Sequence, residues 1–207
     1  QYGQFLEIKK PSLFSNLYYL IDYQIGYMYF RYFMWNFSGK QDDIQGKMDL
    51  HGNWISGINF IDEIILGISQ KNLPSDVLNN KGRNTYFLLP FLLGLLGCYF
   101  LYSVNKEYFW VFLTLFIFTG LAIQVYTNVR PFEPRERDYS LVGSFYVFSI
   151  FIGFGGYYIS KIFTLLKIRF AQILSFLICL LAVPVNLFAN NYDCLLYTSD
   201  AADERHG

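Results

Sequence analysis

The sequence predicts an all-α, polytopic integral membrane protein, with about four transmembrane helices following an aromatic interfacial helix and a polar loop. Three observations carry that prediction. Of 207 residues, 54% are hydrophobic, 21% are aromatic and only 15% are charged, whereas soluble domains hold about 25% charged residues. Four runs, 85–102, 108–127, 141–160 and 170–189, contain no Asp, Glu, Lys or Arg and approach the ~20 apolar residues that a spanning helix needs. None alternates with period two, so helices that satisfy their own backbone in lipid are expected rather than a barrel.

The elements follow in order. Residues 1–84 read as an interfacial helix plus an extramembrane loop. Residues 13–37 are dense in Tyr, Phe, Met and Trp but include Asp22, Gln24 and Arg31, which suits a helix lying at the interface or packed on the bundle. The polar stretch 38–57 holds Gly39, Gly46, Gly52 and Gly57 and reads as an irregular loop; 59–69 suits a short helix, and 73–83 a connector. The four-helix region is 85–189. Small residues let membrane helices approach closely, so Gly94 with Gly97, then Ser149, Gly153, Gly156 and Ser160, then Ser175, Cys179, Ala182 and Asn186 mark packing faces. Gln124 and Asn128 should face the bundle or a wet cavity, and Pro184 should kink the last helix.

Composition also excludes functions. Sixteen acidic and sixteen basic residues balance, and no basic stripe suits nucleic acid. Cys98, Cys179 and Cys194 are far apart, and His51 and His206 are isolated. Neither a disulfide framework, a structural metal site nor a cofactor is indicated.

Three segments can carry chemistry. The run 128–140 packs Arg130, Arg135 and Arg137, three acids and two prolines between two apolar runs, with Asp138 or Ser140 placed to cap the third span. Its arginines suit a lipid phosphate headgroup, because a guanidinium binds phosphate oxygens in pairs; an internally paired loop pinning two helices is the alternative, and from sequence alone it stands ahead. Asn36, Gln41, Asp42 and Asp43 follow an aromatic wall, as at a sugar site. The adjacent aspartates suit a divalent cation, and a solvated loop fits the same residues. Arg83 and Asn84, before the first span, suit a headgroup or serve as helix anchors. Lys71, Lys81, Arg83, Arg130, Arg135 and Arg137 on one side outnumber Lys106, Lys161, Lys167 and Arg169 on the other. The positive-inside rule leans toward a cytoplasmic first side.

The runs YMYFRYFMWNF at 27–37, QDDIQG at 41–46, Arg83 with Asn84, and PRERDY at 134–139 followed by GSFY at 143–146 resemble a family of large multi-spanning proteins. They occur mainly in Bacteroidetes-type bacteria and were long without an assigned function. That family is similar to the transmembrane protein O-mannosyltransferases and, more distantly, to membrane glycosyltransferases of the GT-C architecture. The resemblance covers about 17–160. It implies a fragment of an inner-membrane enzyme that transfers a sugar, such as mannose, from a lipid-phosphate donor to a protein or envelope acceptor. It further implies that Arg135 and Arg137 grip the donor phosphate, and that Asn36, Gln41 and Asp43 lie near sugar or acceptor. The general base would lie in an N-terminal external loop ahead of this segment. Asp43 matches the acid of the family pattern, whereas Asp42 departs from it. The resemblance also implies that the long N-terminal segment and the arginine loop lie outside the cell, against the charge bias. Readings from other classes are a lipid or polyprenyl-phosphate transporter and a structural scaffold. The run CLLYTSDAADE at 194–204 resembles a translated transposase sequencing adapter, so native sequence is expected to stop near Asp193 and 194–207 to be an artefact.

Overall fold

Helix α1 runs over residues 13–37, with the π-helical turns Tyr19–Arg31 set between α-helical Leu13–Tyr18 and Tyr32–Phe37. The computed structural model describes residues 10–42, 52–67, 69–128 and 138–192, without the side chains of Asn72, Asp138 and Tyr139. Ser12 caps α1 by accepting a hydrogen bond from the Ser15 N–H at 3.2 Å. A two-residue strand β1 (Gly39–Lys40) follows. Next come the short helices α2 (Asn59–Leu66) and α3 (Ser75–Leu78), then strand β2 (Asn84–Thr85), which pairs antiparallel with β1. Four apolar helices complete the chain: α4 (Leu89–Val104), α5 (Lys106–Thr127), α6 (Asp138–Leu165) and α7 (Ala171–Tyr192).

The chain is thus an all-α polytopic membrane protein, in which α5, α6 and α7 are long and apolar enough to cross a bilayer. The first apolar run is shorter than its sequence suggests. Residues 85–88 are not helical: Thr85 belongs to β2, while Phe87 and Leu88 take left-handed backbone conformations that turn the chain into α4. With 16 residues, α4 is about 24 Å long at 1.5 Å per residue, less than the ~30 Å hydrocarbon core. The 84/85 division between extramembrane and membrane parts therefore falls inside a strand.

Helix α6 is central and packs against α4, α5 and α7. Its seam with α4 is tight because both helices present glycine. A Cβ on Gly97 would overlap the Phe151 carbonyl, one on Gly155 the Leu93 carbonyl, and one on Gly94 the Phe148 ring. The stripe expected on α6 is divided: Gly156 faces Cys179 of α7, Gly153 faces open space, and Gly155 makes the α4 contact. A helix flanked by several neighbours needs small residues on more than one face, which a single stripe does not capture.

Helix α1 covers the α4–α5–α6 surface with aromatic rings. Phe33, Met34 and Phe37 join Leu101, Val147, Phe148 and Phe151 in the main core, and Phe148 meets Phe33 and Phe37 edge-on at centroid separations of 4.7 and 4.6 Å. Such pairs contribute about 0.5–1.5 kcal/mol each beyond area burial. Gln24 on α1 donates to Asn128 Oδ1 at 2.6 Å, and Gln124 is buried one turn earlier on α5. Pro184 lies inside a π-helical turn, Leu181–Val185. A wider turn there accommodates a residue with no N–H to give and a ring that crowds the preceding carbonyl.

Candidate functional site

Asp62 anchors the most polar part of the molecule. It is 1% exposed and accepts hydrogen bonds from the Ser56 N–H (2.6 Å), the Ser56 hydroxyl (2.8 Å) and the Gly57 N–H (2.9 Å). A carboxylate in the first turn of α2 thereby ties down the residues before that helix, much as a capping box does. Two glycines let the segments close up. Gly39 has φ +141°, and a Cβ there would overlap the Asn84 carbonyl; Gly57 has φ +79°, and its Cβ would lie 2.9 Å from Thr85 Cβ. Only glycine accepts both the backbone angle and the contact.

Around this clip lies a buried polar cap drawn from distant segments. Arg31, 4% exposed, donates to the Gly52 carbonyl at 3.0 Å, while the Gly52 N–H donates to Asp42 Oδ1 at 3.1 Å. The peptide of residue 52 is therefore held between a cation and an anion. The Arg31 guanidinium also stacks on Tyr27 and Trp35, 4.3 and 4.4 Å from the ring centroids. The Gln41 side-chain carbonyl accepts from the Asn53 amide at 3.3 Å, and the Gln41 N–H donates to the Asn53 carbonyl at 3.0 Å.

Arg83 enters from the connector before β2. One η nitrogen donates to Gln70 Oε1 at 3.2 Å; the other is buried with no acceptor among the described residues. Burial lowers the affinity of this guanidinium for its proton, and the carboxylates of Asp62 and then Asp42 push it back up. A guanidinium titrates so far above neutrality that the side chain stays cationic.

The floor of the cap is made by the last two turns of α7. Asn190 accepts from the Thr85 N–H at 3.2 Å and donates to the Thr85 carbonyl at 3.3 Å, and Asn186 donates to the Tyr86 carbonyl at 3.3 Å. Asn84 is hydrogen-bonded to the Tyr86 hydroxyl at 3.2 Å and to Asn191 at 3.1 Å. These asparagines satisfy backbone groups of a non-helical stretch at the head of a membrane helix, where water is scarce.

The residues singled out in the sequence separate accordingly. Gln41, Arg83 and Asn84 come together in the cap. Asn36 does not: it is exposed, and its amide donates to the Tyr32 carbonyl of its own helix at 2.8 Å. Asp43, Arg130, Arg135 and Arg137 lie outside the described residues, as do the Asp138 side chain and 194–207; α6 begins at Asp138. Asp42, Asp62, Gln70, Asn190 and Asn191 were not assigned a structural role in the cap from sequence. The Ser56-Gly57 pair followed by an acid in a first helical turn is the one local signal for Asp62. Among the described residues no group of three His, Cys, Asp or Glu side chains is placed to hold a metal ion.

Fold and cap together define the class: a polytopic α-helical membrane protein with a buried, charge-balanced polar cap at one end of the bundle. Comparison with protein-family models, with curated proteins and with solved structures finds no match to this chain.

Proposed function

We propose that this chain is part of a glycosyltransferase-like protein of the bacterial cytoplasmic membrane. It would take a sugar from a lipid-phosphate donor to a protein or envelope acceptor, and its polar cap would hold the donor headgroup. The observation that supports this most is the Arg83 η nitrogen, a buried cationic donor with no acceptor among the described residues. A phosphate oxygen is the natural partner for a guanidinium at a membrane surface. Trp54, half-buried and paired with Lys40 at the border of the cap, offers an aromatic ring to a sugar. In this reading Arg130, Arg135 and Arg137 supply further phosphate contacts, and Asp43 lies near the acceptor. Asp62 spends both carboxylate oxygens on holding 56–57 and is given no catalytic part.

The test is turnover of a polyprenyl-phosphate-linked sugar by the intact protein in native membranes. Consumption of the donor, reduced at least tenfold by Arg83→Ala and partly restored by Arg83→Lys, is the expected result. A donor that binds but is never consumed would move the protein to the transporter class. A donor neither bound nor consumed ends the proposal.

A further inference from the structure

At the end of the bundle opposite the cap, α4, α5 and α6 enclose an open cleft of about 870 Å³. Its walls are apolar, with Phe112, Ile150 and Phe154 furthest from the turn between α4 and α5. Its mouth is polar, with Asn105, Tyr108, Tyr157 and Lys161. From Ile150 to Lys161 the wall formed by α6 rises about 16 Å at 1.5 Å per residue, close to the depth of one leaflet of a ~30 Å hydrocarbon core. The Lys161 ammonium rests 5.6 Å from the Phe100 ring centroid, at the mouth. Lys106, Lys167 and Arg169 stand at the same end, where Glu107 is the acidic residue among the described ones.

We propose that this cleft binds an acyl chain of an anionic phospholipid from the adjoining leaflet, with the headgroup phosphate at Lys161. Apolar depth matched to one leaflet selects a lipid tail, and Lys161 at the mouth, at an end of the bundle with net positive charge, selects an anionic headgroup over a zwitterionic one. The site is separate from the proposed donor site, because α4 runs between them. Gly153 lies in the cleft wall, and a Cβ there would meet nothing within 4 Å. A side chain can therefore start from this position without displacing protein atoms, and a large one would extend into the open space that Gly153 lines.

The experiment is native mass spectrometry of the intact protein in detergent, titrated separately with phosphatidylglycerol and phosphatidylcholine. At least a tenfold preference for phosphatidylglycerol is expected. Lys161→Glu, an exposed change that the fold tolerates, should reduce its retention to the phosphatidylcholine level, and Gly153→Phe should abolish retention of both. Equal retention of the two lipids, or unchanged phosphatidylglycerol binding in Lys161→Glu, overturns the headgroup assignment. Unchanged binding in Gly153→Phe overturns the cleft as the site, and a dimer lost in that variant would make the occupant a second copy of the chain. Displacement of phosphatidylglycerol by inorganic phosphate alone would show a charge site without an acyl chain, and would also overturn the proposal.

Discussion

A buried carboxylate that accepts three hydrogen bonds has no water to replace them, and this makes Asp62 the most informative single residue. Asp62→Asn keeps the shape but turns an N–H group toward N–H donors, so at least one bond is lost and a buried donor is left unmatched. A destabilisation of about 1–3 kcal/mol is expected, read by denaturant unfolding in detergent, whereas exposed Glu63→Gln should change stability by less than about 0.5 kcal/mol. Equal effects of the two would mean that the clip around 56–57 is not formed. Asn190→Leu tests the floor of the cap in the same way. It strands the Thr85 N–H and carbonyl, and about 1–3 kcal/mol should be lost. In sequence, Arg83 and Gln41 stood out because cations and amides beside an apolar run are conspicuous. Asp62 and Asn190 did not. An acid in a short amphipathic helix looks solvated until the backbone of 56–57 is seen to fold back onto it. Asparagines near a helix end look like a fraying terminus until the partner segment more than a hundred residues away is known.

At the scale of the element, the α4–α6 seam shows why a spacing rule finds packing faces but not partners. Gly94 and Gly97 were legible as a contact face. On α6, however, three glycines within four positions point three ways, and only the neighbouring helices decide which of them carries a contact. The prediction is correspondingly sharp. Gly155→Ala and Gly97→Ala each place a methyl group onto a facing carbonyl and should destabilise by about 1–3 kcal/mol through forced separation of the helices. Gly153→Ala meets open space and should be neutral, or stabilising by up to about 1 kcal/mol from helix propensity. Thermal unfolding of the three variants in one detergent orders them, and a Gly153→Ala loss as large as that of Gly155→Ala would contradict the seam described. The boundary of the first span is a further case. Apolarity extends back to Tyr86, but strand pairing at 84–85 and the left-handed turn at 87–88 stop the helix at Leu89. Hydropathy does not register either constraint.

For the whole molecule, the hydrogen bonds between α7 and β2 require an even number of passes. The end of α7 lies beside the start of α4, so the four apolar helices must alternate in direction and return to the same side, although α4 alone is too short to cross an unthinned core. The cap, the end of α5 and the start of α6 then share one side of the membrane; the α4–α5 and α6–α7 turns share the other. Two expectations about orientation compete. Lysine and arginine counts lean toward a cytoplasmic cap, whereas the proposed transfer to an envelope acceptor needs the cap outside. On the cap side Arg31 and Arg83 are drawn into the cap with Asp42 and Asp62, which leaves Lys71, Lys81, Arg130, Arg135 and Arg137 against Lys106, Lys161, Lys167 and Arg169. The margin of the charge rule nearly vanishes, and the proposed transfer decides the expectation. We therefore expect the cap outside. Single cysteines at exposed Lys81 and Leu166, placed in a cysteine-free background (Cys98→Ala, Cys179→Ala, Cys194→Ser) and probed in intact cells with a membrane-impermeant thiol reagent, decide it. Labelling at 81 but not at 166 is expected. Labelling at both would break the four-pass count, and labelling at 166 alone would keep the fold but leave an outer-face transferase without its site.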